Sequence, residues 1–129
     1  MKYLLLLLFP VWGFAQTPSI EWQKSLGGSG NDYANSITQT SDGGYVVAGY
    51  TNSVDGDVVG NHGGDDVWVV KLSSSGVVEW SKALGGTGNE VATYVIQSAD
   101  GGYVIAGSST SNDGDISGNH GHEDAWVAK

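Results

Sequence analysis

The chain has 129 residues, with 14 acidic side chains against 5 lysines and no arginine, so its formal net charge at pH 7 is −9. Nucleic acids and anionic membranes are bound chiefly through lysine and arginine, so neither is expected as a partner. The absence of cysteine excludes disulfides, thiolate metal sites and a lipid-attachment cysteine.

Residues 1–15 have the pattern of a secretory signal peptide. Lys2 precedes an apolar run that is too short to span a bilayer, and the small residues Gly13 and Ala15 predict cleavage before Gln16. A buried N-terminal strand or helix is the alternative. We therefore expect a secreted, extracellular or cell-surface protein, without membrane insertion after cleavage.

An internal repeat follows. At an offset of 58, residues 20–71 align with residues 78–129 without a gap, and 29 of the 52 pairs are identical. This predicts one repeat over about 20–77 and a second, truncated repeat over about 78–129. Repeats of this length are supersecondary units that bury their apolar faces by stacking on one another.

The apolar stretches are short, rich in β-branched and aromatic residues, and separated by Gly, Asp, Asn and Ser, which predicts strands and turns rather than helices. In chain order the predicted strands are Ala34–Thr40, Tyr45–Thr51, Val67–Leu72, Val77–Ala83, Ala92–Ser98, Tyr103–Ser109 and Ala125–Lys129. A further leading strand is expected at Ile20–Ser25.

The third strand, Val67–Leu72, is apolar on both faces, so protein must cover both. Stacked four-stranded antiparallel repeats of 58 residues predict an all-β fold made of β-propeller blades, residues 16–129 being a partial propeller. A β-helix is the rival, but its coils are shorter. Because a ring needs typically 4–8 blades, two copies leave it incomplete, and we expect packing against missing blades, with the leading strand completing the last one.

A resemblance to a known group rests on three runs, which are Asp42–Thr51, Asp66–Leu72 and Trp80–Gly86. They resemble the repeats of bacterial secreted β-propellers of the delta-60 and related propeller-repeat type. Many such proteins use type IX secretion and end in a C-terminal sorting domain, and we expect no such domain within residues 16–129. The resemblance implies the fold and says little about activity.

The loop 55–66, which recurs as 113–124, is the segment richest in oxygen ligands. Calcium takes six to eight oxygens at adaptable geometry, which suggests ligands at Asp55, Asp57, Asn61, Asp113, Asp115 and Asn119. The spacing is not that of an EF-hand, and Asp and Asn also form turns by bonding their own backbone. We favour the turn-forming role over calcium and expect no other cofactor.

The recurring histidines, glycines and tryptophans are best explained by structural roles. His62 and His120 recur once per repeat, which favours loop packing, and the additional His122 leaves a transition-metal site without a defined third ligand. The glycine loop from Leu26 to Asn31 lacks the helix and lysine of a phosphate loop. Tryptophans recur in each copy and are expected in the core between sheets rather than on a sugar-binding platform.

These observations favour a non-catalytic extracellular scaffold or recognition module that binds a protein or glycan through the loops on one face. One alternative is part of a secreted glycan-processing enzyme whose active site needs the missing blades. The other is a calcium-stiffened structural module.

Overall fold

The computed structural model describes residues 17–129, which form seven β-strands and no helix. The predicted signal peptide, residues 1–15, lies outside the described residues. Within residues 17–129 no helix is long and apolar enough to cross a membrane. The strands in chain order are β1 (Asp32–Gln39), β2 (Tyr45–Thr51), β3 (Asp66–Leu72), β4 (Val78–Leu84), β5 (Glu90–Gln97), β6 (Tyr103–Ser109) and β7 (Asp124–Ala128).

The strands form two antiparallel sheets that are not closed into a barrel or ring. Sheet 1 contains β1-β2-β3-β4, and sheet 2 contains β5-β6-β7, each in sequence order. The expectation of an all-β antiparallel fold is confirmed. Sheet 1 has the four strands expected for one repeat, and sheet 2 has the three strands expected in the second, truncated repeat, within the described residues.

The leading strand expected at residues 20–25 is absent, because this segment pairs with no neighbouring strand and has a bend at Glu21. Its repeat equivalent, residues 78–83, lies in β4 and forms a strand by pairing with β3. Strand formation depends on ladder hydrogen bonds to a neighbour. Residues 20–25 have no such neighbour within the described chain.

The ends of the strands differ from the predicted ones by one or two residues, except for β2 and β6. β1 and β5 each begin two residues earlier than expected, at Asp32 and Glu90. Each acidic residue pairs with the last residue of the next strand, Asp32 with Thr51 and Glu90 with Ser109. Pairing thus extends the ladder over residues whose intrinsic strand preference is low.

Two apolar cores explain why the sheets stack. The first lies between the sheets, where Val46, Ala48, Val67 and Val69 of sheet 1 meet Ala92, Val95 and Ile105 of sheet 2. The second covers the other side of sheet 1 and includes Trp68, Val70, Leu72, Val58 and Ala83, with Trp22 and Leu26 packed against it. All seven residues of β3 are buried, as the apolar character of both its faces predicted.

Candidate functional site

The longer loops gather at one edge of the two sheets, here called the long-loop edge. It comprises the loops 52–65 and 110–123, the connection 85–89 and the segment 26–31 that precedes β1. The opposite edge has only the short turns 40–44, 73–77 and 98–102. The long-loop edge contains no lysine and has six loop carboxylates, on Asp55, Asp57, Asp65, Asp113, Asp115 and Glu123.

Asp55 and Asp113 fasten the loops to the glycine-rich segments. The Asp55 carboxylate accepts a hydrogen bond from the Ser29 N–H at 2.7 Å. Asp113 accepts from the N–H of Thr87 at 2.8 Å and from its hydroxyl at 2.9 Å. The N–H of Thr87 is the main reason why the pKa of Asp113 lies below its ordinary value. Both aspartates therefore act as loop-ordering acceptors in equivalent places.

Asp57 and Asp115 stand at the next equivalent pair of positions. The backbone N–H of each donates to a glycine carbonyl at 2.9 Å, that of Asp57 to Gly27 and that of Asp115 to Gly85. Asp115 Oδ2 also lies 3.9 Å from His62 Nε2, which brings the loops of the two repeats together. Backbone bonds fix these loops and leave the Asp115 carboxylate half-exposed.

Asn61 and Asn119 form side-chain turns. The Asn61 amide donates to the Thr51 carbonyl at 3.1 Å, and its oxygen accepts from the Gly63 N–H at 3.1 Å. The Asn119 amide likewise donates to Ser109 at 3.0 Å, and its oxygen accepts a bond from Gly121. The amide thus satisfies backbone groups that would otherwise lack partners in the loop.

The turn-forming role favoured from the sequence is therefore visible at Asn61 and Asn119, whereas the side chains of Asp55 and Asp113 bond segments 26 residues away. Within residues 17–129 no three carboxylate or histidine side chains are arranged to hold a metal ion. Calcium binding by these loops stays a prediction. The carboxylates of Asp57 and Asp115 have the fewest short contacts in these loops. The calcium prediction therefore applies most directly to these two residues.

Sequence reasoning missed the acidic residues that begin β1 and β5. Glu90 is fully buried and accepts bonds from the Ser109 hydroxyl at 2.8 Å, the Gly86 N–H at 2.8 Å and the Ser111 N–H at 3.2 Å. One side chain thereby joins β5, the loop after β6 and the connection 85–89. The sequence signal that could have identified these acids is that each repeat has an acidic residue followed 19 positions later by Thr or Ser.

Asp32 is the equivalent of Glu90 in the first repeat. Its carboxylate accepts from the Thr51 hydroxyl at 2.5 Å, the Gly28 N–H at 2.9 Å and the Ser53 hydroxyl at 3.0 Å. Burial raises the pKa of Asp32, but these three hydrogen bonds together outweigh it and hold the pKa below its ordinary value. Asp32 is therefore an ionised acceptor at neutral pH.

Asp66, which begins β3, lies where the two sheets meet. It is fully buried, and its Oδ2 contacts the backbone N–H of His62 at 2.8 Å and His62 Nδ1 at 2.9 Å. Its Oδ1 has no hydrogen-bond partner among the described residues. A Cβ on Gly85 would lie 2.5 Å from this Oδ1 and 2.7 Å from Glu90 Oε2, so both buried carboxylates approach the same glycine.

The pKa of Asp66 is raised. Burial is the largest cause, the bonds from His62 act against it, and the negative charge of Glu90 raises it further. His62 therefore has a defined packing role beside Asp66, in agreement with the loop-packing interpretation. The equivalent His120 is 3.2 Å from Asp124 but is largely exposed.

The structure also shows the contacts of the glycine segment before β1 and of two tryptophans. The N–H groups of residues 29–31 are bonded to side chains of the loop 52–55, so they are engaged in loop packing. Trp68 is buried and donates to the Ser81 hydroxyl at 2.8 Å, as expected for a core residue. Trp80 is 40% exposed, which is more than the core interpretation predicted.

A scan against protein-family models found no match to this chain. A search of the curated proteins also found no similar sequence.

Proposed function

We propose that this chain is a segment of an extracellular, non-catalytic propeller-type scaffold that recognises a protein or glycan through its long-loop edge. The sheets would be successive blades. The stacking of two equivalent sheets with their long loops on one edge carries the proposal, because repetition brings similar loops side by side on an ordered surface.

The character of this edge indicates what would bind there. Hydrogen bonds to and from the loop side chains hold the loops in place, which lowers the ordering cost of binding. Six carboxylates without a lysine give a negative potential that attracts cationic groups and repels anionic ones. Neutral glycans and basic protein segments suit this surface best.

Binding can be tested with two variants of the secreted protein. Asp115→Lys reverses one charge on the long-loop edge, and Ser74→Lys adds a lysine to the opposite edge as a control for the lysine itself. We expect retention on a panel of glycans and extracellular proteins to fall for Asp115→Lys and to persist for Ser74→Lys. Equal effects of the two variants would contradict recognition at the long-loop edge.

The purified secreted protein can also be tested for enzymatic activity. The proposal predicts no turnover when the protein is incubated with extracellular polysaccharides, as measured by the release of reducing ends. Reproducible hydrolysis by the purified protein would replace the scaffold with the glycan-processing alternative.

A further inference from the structure

The contact between the two sheets serves as a template for a second contact. The back face of sheet 1, defined by Val46, Ala48, Val67 and Val69, is buried against the front face of sheet 2, defined by Ala92, Val95 and Ile105. Residues 58 positions apart are equivalent in the two repeats, so the back face of sheet 1 has an equivalent on sheet 2 and the front face of sheet 2 has an equivalent on sheet 1. Both equivalents are apolar and have no second sheet covering them within residues 17–129, although Trp22 and Leu26 pack against part of the front of sheet 1.

The front face of sheet 1 is the first open surface. Its residues Ala34, Ile37 and Val47 are the repeat equivalents of Ala92, Val95 and Ile105. Ile37 is 60% exposed, whereas Val95 is 1% exposed. The same kind of apolar side chain thus occupies the same place on each sheet and has a covering sheet in only one of them.

The back face of sheet 2 is the second open surface. It consists of the repeat equivalents of the back face of sheet 1, namely Val104, Ala106, Ala125 and Val127. Val127 is 67% exposed, whereas the equivalent Val69 is 3% exposed. These two open faces have the chemistry of the two faces that meet between sheets 1 and 2.

The strand edges show the same relation. β3 pairs with β4, while β7, the equivalent of β3, has no partner on its outer edge within residues 17–129. The equivalent of β4 is the leading segment, residues 20–26. It lies against the front of sheet 1, where Trp22 meets Tyr45 at 5.7 Å between ring centroids, as Trp80 meets Tyr103 at 5.8 Å.

We propose that a second copy of this chain docks head to tail, its leading segment pairing with β7 and the front face of its sheet 1 covering the back face of sheet 2. The contact repeats the one between sheets 1 and 2, so one interface is continuous with the next. Because the two surfaces differ, it is a heterologous contact rather than a two-fold one. The inference rests on the sheet stacking of the proposed function and not on recognition by the loops.

Two single variants test the geometry. Val127→Asp charges the back face of sheet 2, and Ile37→Asp charges the front face of sheet 1. In sedimentation velocity of the full chain over a concentration series, the unmodified protein should associate. A buried hot-spot residue contributes about 2 kcal/mol or more, so each variant should weaken association by roughly 30-fold or more.

Mixing the two variants separates head-to-tail from two-fold docking. The Ile37→Asp chain retains an intact back face and the Val127→Asp chain retains an intact front face. An equimolar mixture should therefore form a 1:1 complex that grows no further. A two-fold interface, in which each face meets its own copy, would leave this mixture without such a complex.

Val54→Asp is the matched control, because Val54 is 78% exposed and its repeat equivalent is the polar Asn112. It should associate as the unmodified chain does, and all variants should have the same β-type circular dichroism. A monomeric unmodified chain, association that survives both face variants, or an unassociated mixture would overturn the proposal. Loop binding that persists in the Ile37→Asp chain would leave the proposed function standing.

Discussion

Glu90 shows how a single buried side chain joins three parts of the chain. Its carboxylate satisfies the Ser109 hydroxyl and the backbone N–H groups of Gly86 and Ser111. A buried donor that loses its acceptor costs about 1–3 kcal/mol. The acid is therefore important for stability although it lies at the beginning of a strand.

Replacement of Glu90 by alanine should lower the free energy of unfolding by about 2–3 kcal/mol, because several buried donors would lose their acceptor. Urea unfolding followed by tryptophan fluorescence measures this loss. Glu90→Gln retains one acceptor oxygen and should cost less. A loss of less than about 1 kcal/mol in Glu90→Ala would contradict a stabilising role for these hydrogen bonds.

Asp66 makes stability depend on pH. Because its pKa is raised in the folded state, the folded protein holds a proton that the unfolded chain has already released. The protonated Asp66 carboxyl therefore contributes its full stabilisation at a pH below its pKa in the unfolded chain. This stabilisation is lost as the pH rises through the higher pKa that Asp66 has in the folded protein. Asp66→Asn should remove this fall. Parallel curves of melting temperature against pH for the two proteins would contradict the assignment.

At the scale of the element, glycines permit the irregular pairing of β1 with β2 and of β5 with β6. The register shifts between Ala34 and Ser36 and, in the second repeat, between Ala92 and Tyr94. At this place a Cβ on Gly49 would lie 1.8 Å from the Tyr33 carbonyl oxygen. The bulge therefore requires glycine on the facing strand.

Gly49→Ala should consequently destabilise the protein by about 1–3 kcal/mol, because the backbone of β1 must move away from the new methyl group. Chemical denaturation gives the magnitude. Ser108→Ala, a half-buried position next to the equivalent glycine of sheet 2, is the comparison and should change stability little. A neutral Gly49→Ala would show that the bulge relaxes without strain.

The acidic loops give an element-scale prediction for calcium. If turn formation accounts for them, addition of EGTA should leave the melting temperature unchanged. Asp57→Asn together with Asp115→Asn should then melt as the unmodified chain does, with or without calcium. A rise in melting temperature with calcium that disappears in this double variant would establish the calcium-stiffened module instead.

At the scale of the whole molecule, the first of the two apolar cores lies between the sheets and is shared by both. Val95 of sheet 2 is 1% exposed and belongs to the same cluster as Val46 and Val69 of sheet 1. Neither sheet can keep this core if the other unfolds. The two repeats should therefore unfold together.

Val95→Ala tests this coupling. The loss of two methyl groups from a buried site should cost about 1–2 kcal/mol. Hydrogen exchange should accelerate in β2 and β3 of sheet 1 as well as in β5 and β6. Ile96→Ala, at a neighbouring position that is 42% exposed, should have a smaller effect. Acceleration confined to sheet 2 would show that the sheets are independent units.

The sequence alone predicted the elements well where local chemistry decides. Alternation, β-branched residues and the Asp-Gly-Gly turns placed β2 and β6 at their observed bounds, and the two-sided apolar pattern of β3 predicted its burial on both faces. The repeat itself predicted that copies would stack. These features depend on neighbouring residues, which a sequence displays directly.

Only the tertiary structure decided which residues complete each sheet and which acids are buried. Sheet 1 ends with β4, which belongs to the second repeat, and the equivalent residues 20–25 form no strand because they lack a partner. Glu90 and Asp66 are ordinary acids in the sequence and become buried neighbours only when the sheets meet. Pairing and burial are long-range properties, so identical motifs in two repeats acquire different structures from different surroundings.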